Sequence, residues 1–588
     1  LFVEFRCLTN GYRLHTGRSL LGACEYFGIK HSDVTYKKSM RDRILKGDPF
    51  SEKEKKEILE YCRQDVELTA TLFEKMKPYI DLYYALLRGR YMSAIASIEF
   101  NGVPIDVEKL KEIKDCWEII KEELIWRVDQ HFGVYEGTTF KIEKFKKYLK
   151  KHQILWECTE KGYPKTDADY MYNQAKIYPQ LKPLQELRHA LGKLRLNDLY
   201  IGTDGRNRCL LSPFSSKTGR NQPSTSHFIF GPSTWVRFFI KPKLGTAIAY
   251  IDYAQQELAI AASLSGDKNL ISDYKTGDPY LTFAKKAGAI PIDGTKETHP
   301  EIREIYKRCM LALNYGMSIE TFAANVKIPY AEASYIVKWH KRRYQKYWQW
   351  SDQFIDNGML SGLVKTSYNW YFHTRDAKYR TLQNWPMQAH GADILRLAII
   401  LCVEHGIKII APIHDAILIE APINEIEQKV KTTQEIMEFA SKCVLDFKIN
   451  TDVQIFKYPN NFFDSRGELM WKAIWGILDN LNPAEKRARL LEKHQKDITL
   501  DTWEFEKIRR DDLTLSEYKT LQRIKKQSKF SDLELIYLIQ EARDSDFDLE
   551  AEVDWEYSSY KTAKETIQKG INPTKKKSIK DLAWETCE

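Results

Sequence analysis

Hydrophobic positions along this chain fall into a few runs with clear periods, separated by polar stretches. Residues Ser51–Met76 repeat with helical period and stop before Pro78, which predicts a helix. Residues 1–80 as a whole read as mixed and mostly helical. Residues 85–200 are rich in charge and helix formers and predict a long-helix region, interrupted at Asn101-Gly102-Val103-Pro104. Thr246 to Asp252 is a short apolar run that ends in an acid, the pattern of a buried strand. Thr298 and Glu301 have capping-box spacing and Pro300 falls in the first turn, so a helix is predicted over 298–316. A further helix is predicted over 388–405, stopped by Gly406. Residues 407–421 predict two apolar strands meeting at His414-Asp415, with a helix following from about Asn424.

The polar stretches change this picture in two places. Residues 203–235 have loop composition, with a basic element, Ser215-Ser216-Lys217-Thr218-Gly219-Arg220, at their centre. After about residue 475 the chain becomes charged and helical in pattern, with blocks such as Lys575-Lys576-Lys577, and carries no motif. No internal repeat is evident.

A length of 588 residues suggests roughly three to five domains. Hydrophobic content of 43% and charged content of 29% are those of a globular protein. The net charge of +9 permits a polyanionic partner without demanding one. Ten cysteines with no C-x-x-C pair suggest neither a zinc site nor a disulfide framework. A reducing, cytoplasmic location is expected. No apolar run is expected to span a membrane, and no signal peptide is visible. The chain opens with Leu1, which fits a fragment or a processed product.

Asp252 ends one predicted strand and Asp415 lies where two others meet. If those strands are neighbours, both carboxylates emerge at one sheet edge. Nucleotidyl transfer uses such a pair to hold two divalent metals about 3.5–4 Å apart. Either acid alone is weak, because strand-end aspartates are usually turn residues or caps. What lies between them adds weight. Arg303, Lys307, Leu311 and Tyr315 are spaced by four and lie on one slowly drifting helix face. Two cations near a helix N-terminus suit a triphosphate, although a solvated basic face has the same pattern.

These residues resemble the motifs of family A DNA polymerases. Asp252-Tyr253-Ala254-Gln255-Gln256-Glu257-Leu258 is similar to motif A, Arg303-x3-Lys307-x7-Tyr315-Gly316 to motif B, and Ile413-His414-Asp415 to motif C, in the family's order. Arg380-x3-Asn384-x-Pro386-x-Gln388 is similar to the segment that reads the primer–template minor groove, and Thr218-Gly219-Arg220 to the T-G-R element. The resemblance covers about residues 85–465. It implies a DNA-templated DNA polymerase, possible relatives being phage or prophage enzymes. Asp252 and Asp415 would hold two Mg2+ ions, with Mn2+ as a substitute and the Tyr253 carbonyl helping. Arg303 and Lys307 would contact the triphosphate, with Lys307 protonating the leaving pyrophosphate. Gln255, Leu311 and Tyr315 would line the nucleotide site, and Glu257 would block a 2′-hydroxyl. Arg220, Arg380, Asn384, Gln388 and His414 would contact the duplex near the primer end. DNA primer–template and dNTPs are the implied partners of a monomer without membrane association.

The implied fold is α+β and multidomain: a right hand with an antiparallel palm sheet and helical fingers and thumb, preceded by a remnant of an RNase H-like exonuclease domain. The expected boundaries are 1–80 exonuclease-like, 81–205 thumb, 206–265 palm, 266–380 fingers, 381–474 palm, and 475–588 a charged helical extension. Tyr61 and Asp65 resemble the last motif of the family's 3′–5′ exonuclease, yet no D-x-E strand motif precedes them, so this chain is expected to lack proofreading. The sequence also departs from the family pattern within the polymerase region. Leu311 stands where Phe or Tyr is usual, Ala416 where Glu is usual, and Ala259 where Arg is common; none of these removes a metal ligand. Two other readings use the same residues. A single-subunit RNA polymerase shares the acids but has a small residue at the position of Glu257. A non-catalytic DNA-binding scaffold would retain the fold without synthesis.

Overall fold

Side-chain caps set several of the helix starts in this protein. The computed structural model describes residues 1–480 apart from 32, 33, 48, 160, 161, 193–198 and 232. The chain divides into two compact units, one containing Leu1–Asp81 and the other beginning at Leu82. The expected extension lies, beyond residue 480, outside the described residues.

The first unit contains α1 (Phe2–Thr9), α2 (Leu20–Tyr26), α3 (Val34–Leu45) and α4 (Glu52–Met76). Ser51 and Glu54 close a capping box at the start of α4: the Glu54 N–H donates to Ser51 Oγ, and the Ser51 N–H donates to the Glu54 carboxylate at 2.9 Å. Phe5, Ala23, Leu72 and Met76 form the buried core. An RNase H-like domain is built on a sheet, and this unit has no strand among its described residues.

The second unit begins with α5 (Leu82–Asn101). The expected long-helix region is otherwise made of short helices: α6 (Val107–Asp115), α7 (Trp117–Asp129), α8 (Ile142–Lys151), α9 (Ala168–Ile177) and α10 (Lys182–Gly192). Gly133 and Gly137, both at positive φ, punctuate a small hairpin of Tyr135–Glu136 with Thr139–Phe140 between α7 and α8. Helix propensity was correctly signalled there, but these turn residues divide it.

The centre of this unit is a four-stranded antiparallel sheet. Its strands are β1 (Thr246–Tyr253), β2 (Ile409–Ile413), β3 (Ala416–Pro422) and β4 (Thr451–Lys457), in the order β4-β1-β3-β2. Strand β4 has a mostly polar, exposed sequence and gives no buried-strand signal; it forms an edge paired along β1. Successive side chains of β1 point to opposite faces. Tyr253 points to the helix layer, where its hydroxyl donates to the Met437 carbonyl at 2.6 Å. Asp252 therefore points to the other face. The helices that follow β1 are α11 (Gln256–Ser265), α12 (Lys268–Lys275), α13 (Pro279–Lys286), α14 (Pro300–Asn314), α15 (Ile319–Val326), α16 (Tyr330–Arg343) and α17 (Gln345–Ser361). A hairpin of Leu363–Lys365 with Tyr371–His373 comes next, then α18 (Tyr379–Glu404), α19 (Ile426–Leu445) and α20 (Glu468–Asp479).

Four sequence expectations need correction. The capping box at Thr298 and Glu301 does not form: His299 occupies the N-cap, and the Thr298 hydroxyl bonds Thr295 and His299 instead, while Pro300 opens α14 as expected. The helix expected over 388–405 starts at Tyr379 and runs through Pro386. Burial of Leu382, Trp385, Met387 and most later residues offsets the lost backbone hydrogen bond. This helix is also long and apolar enough to cross a bilayer, which no run was expected to be, but 83% of its apolar window is buried inside the protein. Lastly, the change of character near residue 475 is not a structural boundary. Helix α20 continues to Asp479 with Ile474, Ile477 and Leu478 buried, and Trp471 stacks on Phe238 at 5.2 Å.

At the far end of β3 from the turn, Glu420 is buried against the guanidinium of Arg206, which also donates to the Gly102 carbonyl at 3.1 Å; Lys408 reaches the same carboxylate at 2.6 Å. Removing one partner of a buried pair leaves the other charge uncompensated. Arg206→Ala is therefore expected to cost about 3 kcal/mol, the lower end of the range for a broken buried pair because Lys408 remains. Denaturant unfolding followed by tryptophan fluorescence measures this.

Candidate active site

The two acids singled out by sequence meet at one edge of the sheet. Asp252 lies next to the end of β1, and Asp415 lies in the two-residue turn His414-Asp415 closed by the Ile413–Ala416 pair. His414 adopts a left-handed conformation with φ 56°, which lets the hairpin turn within two residues. Ala416 pairs directly with Asp252 across β1 and β3, which brings Asp415 alongside. The two carboxyl groups act on each other electrostatically. Burial and the neighbouring acids push Asp252 well above the ordinary carboxylate range, and burial raises Asp415 against the opposing pull of Arg220 and His414. Burial lowers the pKa of His414.

Sequence reading missed a third acid. Strand register places Asp452 of β4 directly opposite Asp252, on the side away from Ala416. Side chains of directly opposed residues share a face, so Asp452 adds negative charge to this edge. Only the pairing of β4 with β1 reveals it. Asp252 Oδ1 is buried and has no hydrogen-bond partner. Among the described residues no group of three His, Cys, Asp or Glu forms a closed metal cluster. An orphaned carboxylate oxygen beside a second crowded carboxylate fits divalent cations that take oxygen ligands and complete their shells with water or phosphate.

Glu257, in the first turn of α11, faces this edge. Its carboxylate accepts a hydrogen bond from the Tyr315 hydroxyl at 2.7 Å, and Tyr315 also bonds Gln388 of α18. Burial raises the Glu257 carboxyl, and burial together with Glu257 pushes Tyr315 up to about 12. Tyr315 caps α14 and Gly316 follows with φ 66°; a Cβ there would lie 2.5 Å from Gln383 Oε1. Glycine is thus required for α14 to close on α18, where Gln383 donates to the Leu313 carbonyl at 3.0 Å. Gln255, at φ 47°, forms the N-cap of α11 without a side-chain cap bond.

The half-buried face of α14 carries Arg303, Lys307 and Leu311 toward Tyr315, while Tyr306, Cys309, Met310 and Leu313 are buried. Arg303 is tied to Asp278, the N-cap residue of α13, at 2.5 Å. Lys307 is only loosely held, 4.0 Å from Glu304. Arg380, Asn384 and Gln388 form the less buried stripe of α18, and Asn384 Oδ1 has no partner. Arg220 acts electrostatically on Asp415, Glu257, Tyr315 and His414, so the loop before β1 reaches the same edge. Gln256, 2% exposed with both amide atoms unpaired, was not singled out by sequence; its Oε1 would be 2.5 Å from a Cβ on Gly391.

The Tyr61 and Asp65 pair lies elsewhere, on α4. The two side chains bond each other, and Asp65 accepts from Lys37 Nζ of α3 at 3.0 Å. Burial, with Asp65 next, pushes Tyr61 up to about 12. No second acid joins them in a metal-binding group among the described residues.

A family model described as DNA polymerase family A matches residues 233–458. The thermostable DNA polymerase I of Thermus aquaticus is 27% identical over 385 residues, which cover 59% of this chain and 45% of that protein. The DNA polymerase I of Aquifex aeolicus is 23% identical over 396 residues, 64% of this chain and 66% of the relative. The chain spans about half the length of the Thermus relatives it matches. The solved POL domain of Pol1 from M. smegmatis, in complex with DNA primer-template and dNTP, is similar with a TM-score of 0.62 at 20% identity, over 78% of this chain and 81% of that one. That likeness establishes a polymerase-domain fold of mixed helices and antiparallel sheet.

Proposed function

We propose, on the premise that residues 233–458 are a family A DNA polymerase domain, that this chain extends a DNA primer with dNTPs on a DNA template. The observation that carries this reading is the meeting of Asp252 and Asp415 at one sheet edge, faced by Glu257, Tyr315 and Arg220. Family A polymerases are metal-dependent, and two Mg2+ ions, with Mn2+ as substitute, are the cofactors proposed here. Asp252 and Asp415 would hold them, with the Tyr253 carbonyl assisting. When bound, such ions activate the primer 3′-hydroxyl and stabilise the pyrophosphate leaving group.

The remaining roles belong to side chains of this chain. Lys307 and Arg303 bind the triphosphate at the basic end of α14, and Lys307, the less constrained of the two, gives a proton to the departing pyrophosphate. Tyr315, Leu311 and Gln255 shape the nucleotide site. Glu257, held by Tyr315, occupies the space a ribose 2′-hydroxyl needs. Arg380, Asn384, Gln388, Arg220 and His414 contact the duplex near the primer end. In this reading the sheet and α11 belong to the palm, α12 to α17 belong to the fingers, and α5 to α10 form the thumb. The protein acts as a monomer in a reducing cytoplasm. The Tyr61 and Asp65 pair, closed on Lys37, is assigned no proofreading activity.

Primer extension with Mg2+ tests the reading: wild-type chain should add dNTPs to a primer–template, and no extension would favour the DNA-binding scaffold. Binding of the duplex should also weaken by about 10^3-fold or more between about 50 and 200 mM salt, as expected for several phosphate contacts. A flat salt response in fluorescence anisotropy would remove the proposed duplex contacts.

A further inference from the structure

The loop that carries Arg220 is held by donors from elements far along the chain. The Lys217 carbonyl accepts two indole N–H bonds, from Trp370 at 3.2 Å and Trp385 at 3.0 Å. A carbonyl oxygen has two lone pairs, so this one is fully used. The Gly219 carbonyl accepts from Arg396 Nη1 at 2.7 Å. The Arg396 guanidinium is buried, lies 4.8 Å from the centre of the Phe214 ring, and pairs with Asp393. Gly219 has φ 73°, and a Cβ there would meet the Trp370 ring at 3.0 Å and Arg396 Nη1 at 3.2 Å. One residue later, the Arg220 N–H donates to Ser216 Oγ at 2.8 Å, closing the turn.

The hairpin that presents Trp370 is itself fixed to α18. The Ser367 N–H donates to His390 Nε2 at 3.2 Å, and His390 Nδ1 lies 2.7 Å from the Pro386 carbonyl. Those two contacts assign the neutral tautomer with the proton on Nδ1, and burial favours the neutral ring by lowering its pKa. Farther along α18, Gly391 lies beside the far end of Arg220: a Cβ on Gly391 would be in ordinary contact with Arg220 Nη2, at 3.5 Å. The backbone of the loop is therefore held by α18 and the hairpin, and its guanidinium lies against α18.

We propose that Trp370, Trp385 and Arg396 are positioning residues that lock the 217–219 backbone so that Arg220 is delivered to the edge bearing Asp415 and Glu257. This rests on the polymerase reading for the identity of the ligand, a primer–template duplex. The donors do not touch that ligand. Their energy goes into removing the conformational freedom of a surface loop, so that Arg220 makes its contact without an ordering cost at binding.

A double-mutant cycle on the full chain tests the proposal. Trp370→Phe with Trp385→Phe keeps an aromatic ring at each position and removes both N–H donors. In the wild-type background the pair should weaken binding of a labelled primer–template by about tenfold, a coupling within the range for groups in one network. In an Arg220→Ala background it should cost less than about twofold, because the residue being positioned is gone. An unchanged affinity in the wild-type background, or the same loss in both, overturns the proposal. Should the phenylalanine pair not fold, Arg396→Met beside Arg396→Lys makes the same comparison. Lysine keeps a donor for the Gly219 carbonyl and should recover most of the affinity lost with methionine; equal losses overturn the assignment. Anisotropy reads binding alone and extension by wild-type chain is scored in parallel. A chain that binds but does not extend refutes the polymerase reading, while the coupling still decides the role of the clamp.

Discussion

Asp415→Asn should reduce primer extension by at least about 10^3-fold, the order seen when one member of a catalytic unit is removed. The substitution preserves shape and removes the negative charge that a divalent cation needs. Asp252→Asn should do the same, and the two losses should not add, because either one dismantles the same site. Stability should move the opposite way. Asp252 and Asp415 have raised pKa values in the fold, chiefly through burial. A carboxyl whose pKa is raised on folding contributes stability that is present below its unfolded value and is lost as pH rises through the folded value. In metal-free protein at neutral pH, replacing one of these acids therefore removes a repulsion. Asp415→Asn should melt at the same temperature as wild type or slightly higher while synthesis is lost. A variant that is inactive because it is unfolded would melt lower, and that result would remove the catalytic interpretation. Mild acid should also weaken apparent Mg2+ affinity, because protons taken up by the raised carboxyls compete with the cation.

Much of this site was legible because its chemistry is spaced regularly along local elements. The four-residue spacing from Arg303 to Tyr315 survives as one face of α14, and the apolar runs ending at Asp252 and meeting at Asp415 survive as β1, β2 and β3. What stayed hidden depends on pairing between distant segments. Asp452 becomes part of the acidic edge only through the register of an exposed edge strand whose polar sequence resembles a loop. The Trp370, Trp385 and Arg396 contacts with residues 217–219 join positions more than a hundred residues apart. The start of α18 was hidden for another reason. Pro386 argues locally for a break, and burial of the residues around it overrides that preference. At Thr298 the local rule failed in the other direction, because Thr295 and His299 offered the hydroxyl nearer partners than a helix cap.

Glu257→Gly should lower the preference for dNTPs over rNTPs by about 10^2-fold, the scale on which a pocket discriminates by a single hydroxyl. The geometry specifies how the proposed gate is held. Glu257 is largely buried, and its carboxylate is fixed by the Tyr315 hydroxyl at 2.7 Å, with Tyr315 in turn bonded to Gln388. A carboxylate on a free side chain could swing away from a ribose; one anchored to the end of α14 cannot do so without breaking that bond. Tyr315→Phe should accordingly produce a smaller loss of sugar discrimination in the same direction, because it frees Glu257 without deleting it. In the Glu257→Gly background the same change should add little, since the residue it restrains is absent. Leu311 lies one turn before Tyr315 on the same face and makes no hydrogen bond to Glu257, so Leu311→Phe should alter the absolute rate more than the ratio. The quantity to measure is kcat/KM for each nucleotide on one primer–template. Equal use of dNTPs and rNTPs by wild-type chain would favour the RNA polymerase reading, and an unchanged ratio in Glu257→Gly would remove Glu257 as the gate. A shift in Glu257→Gly with none in Tyr315→Phe would leave the gate in place and show that the hydroxyl bond is not what fixes it.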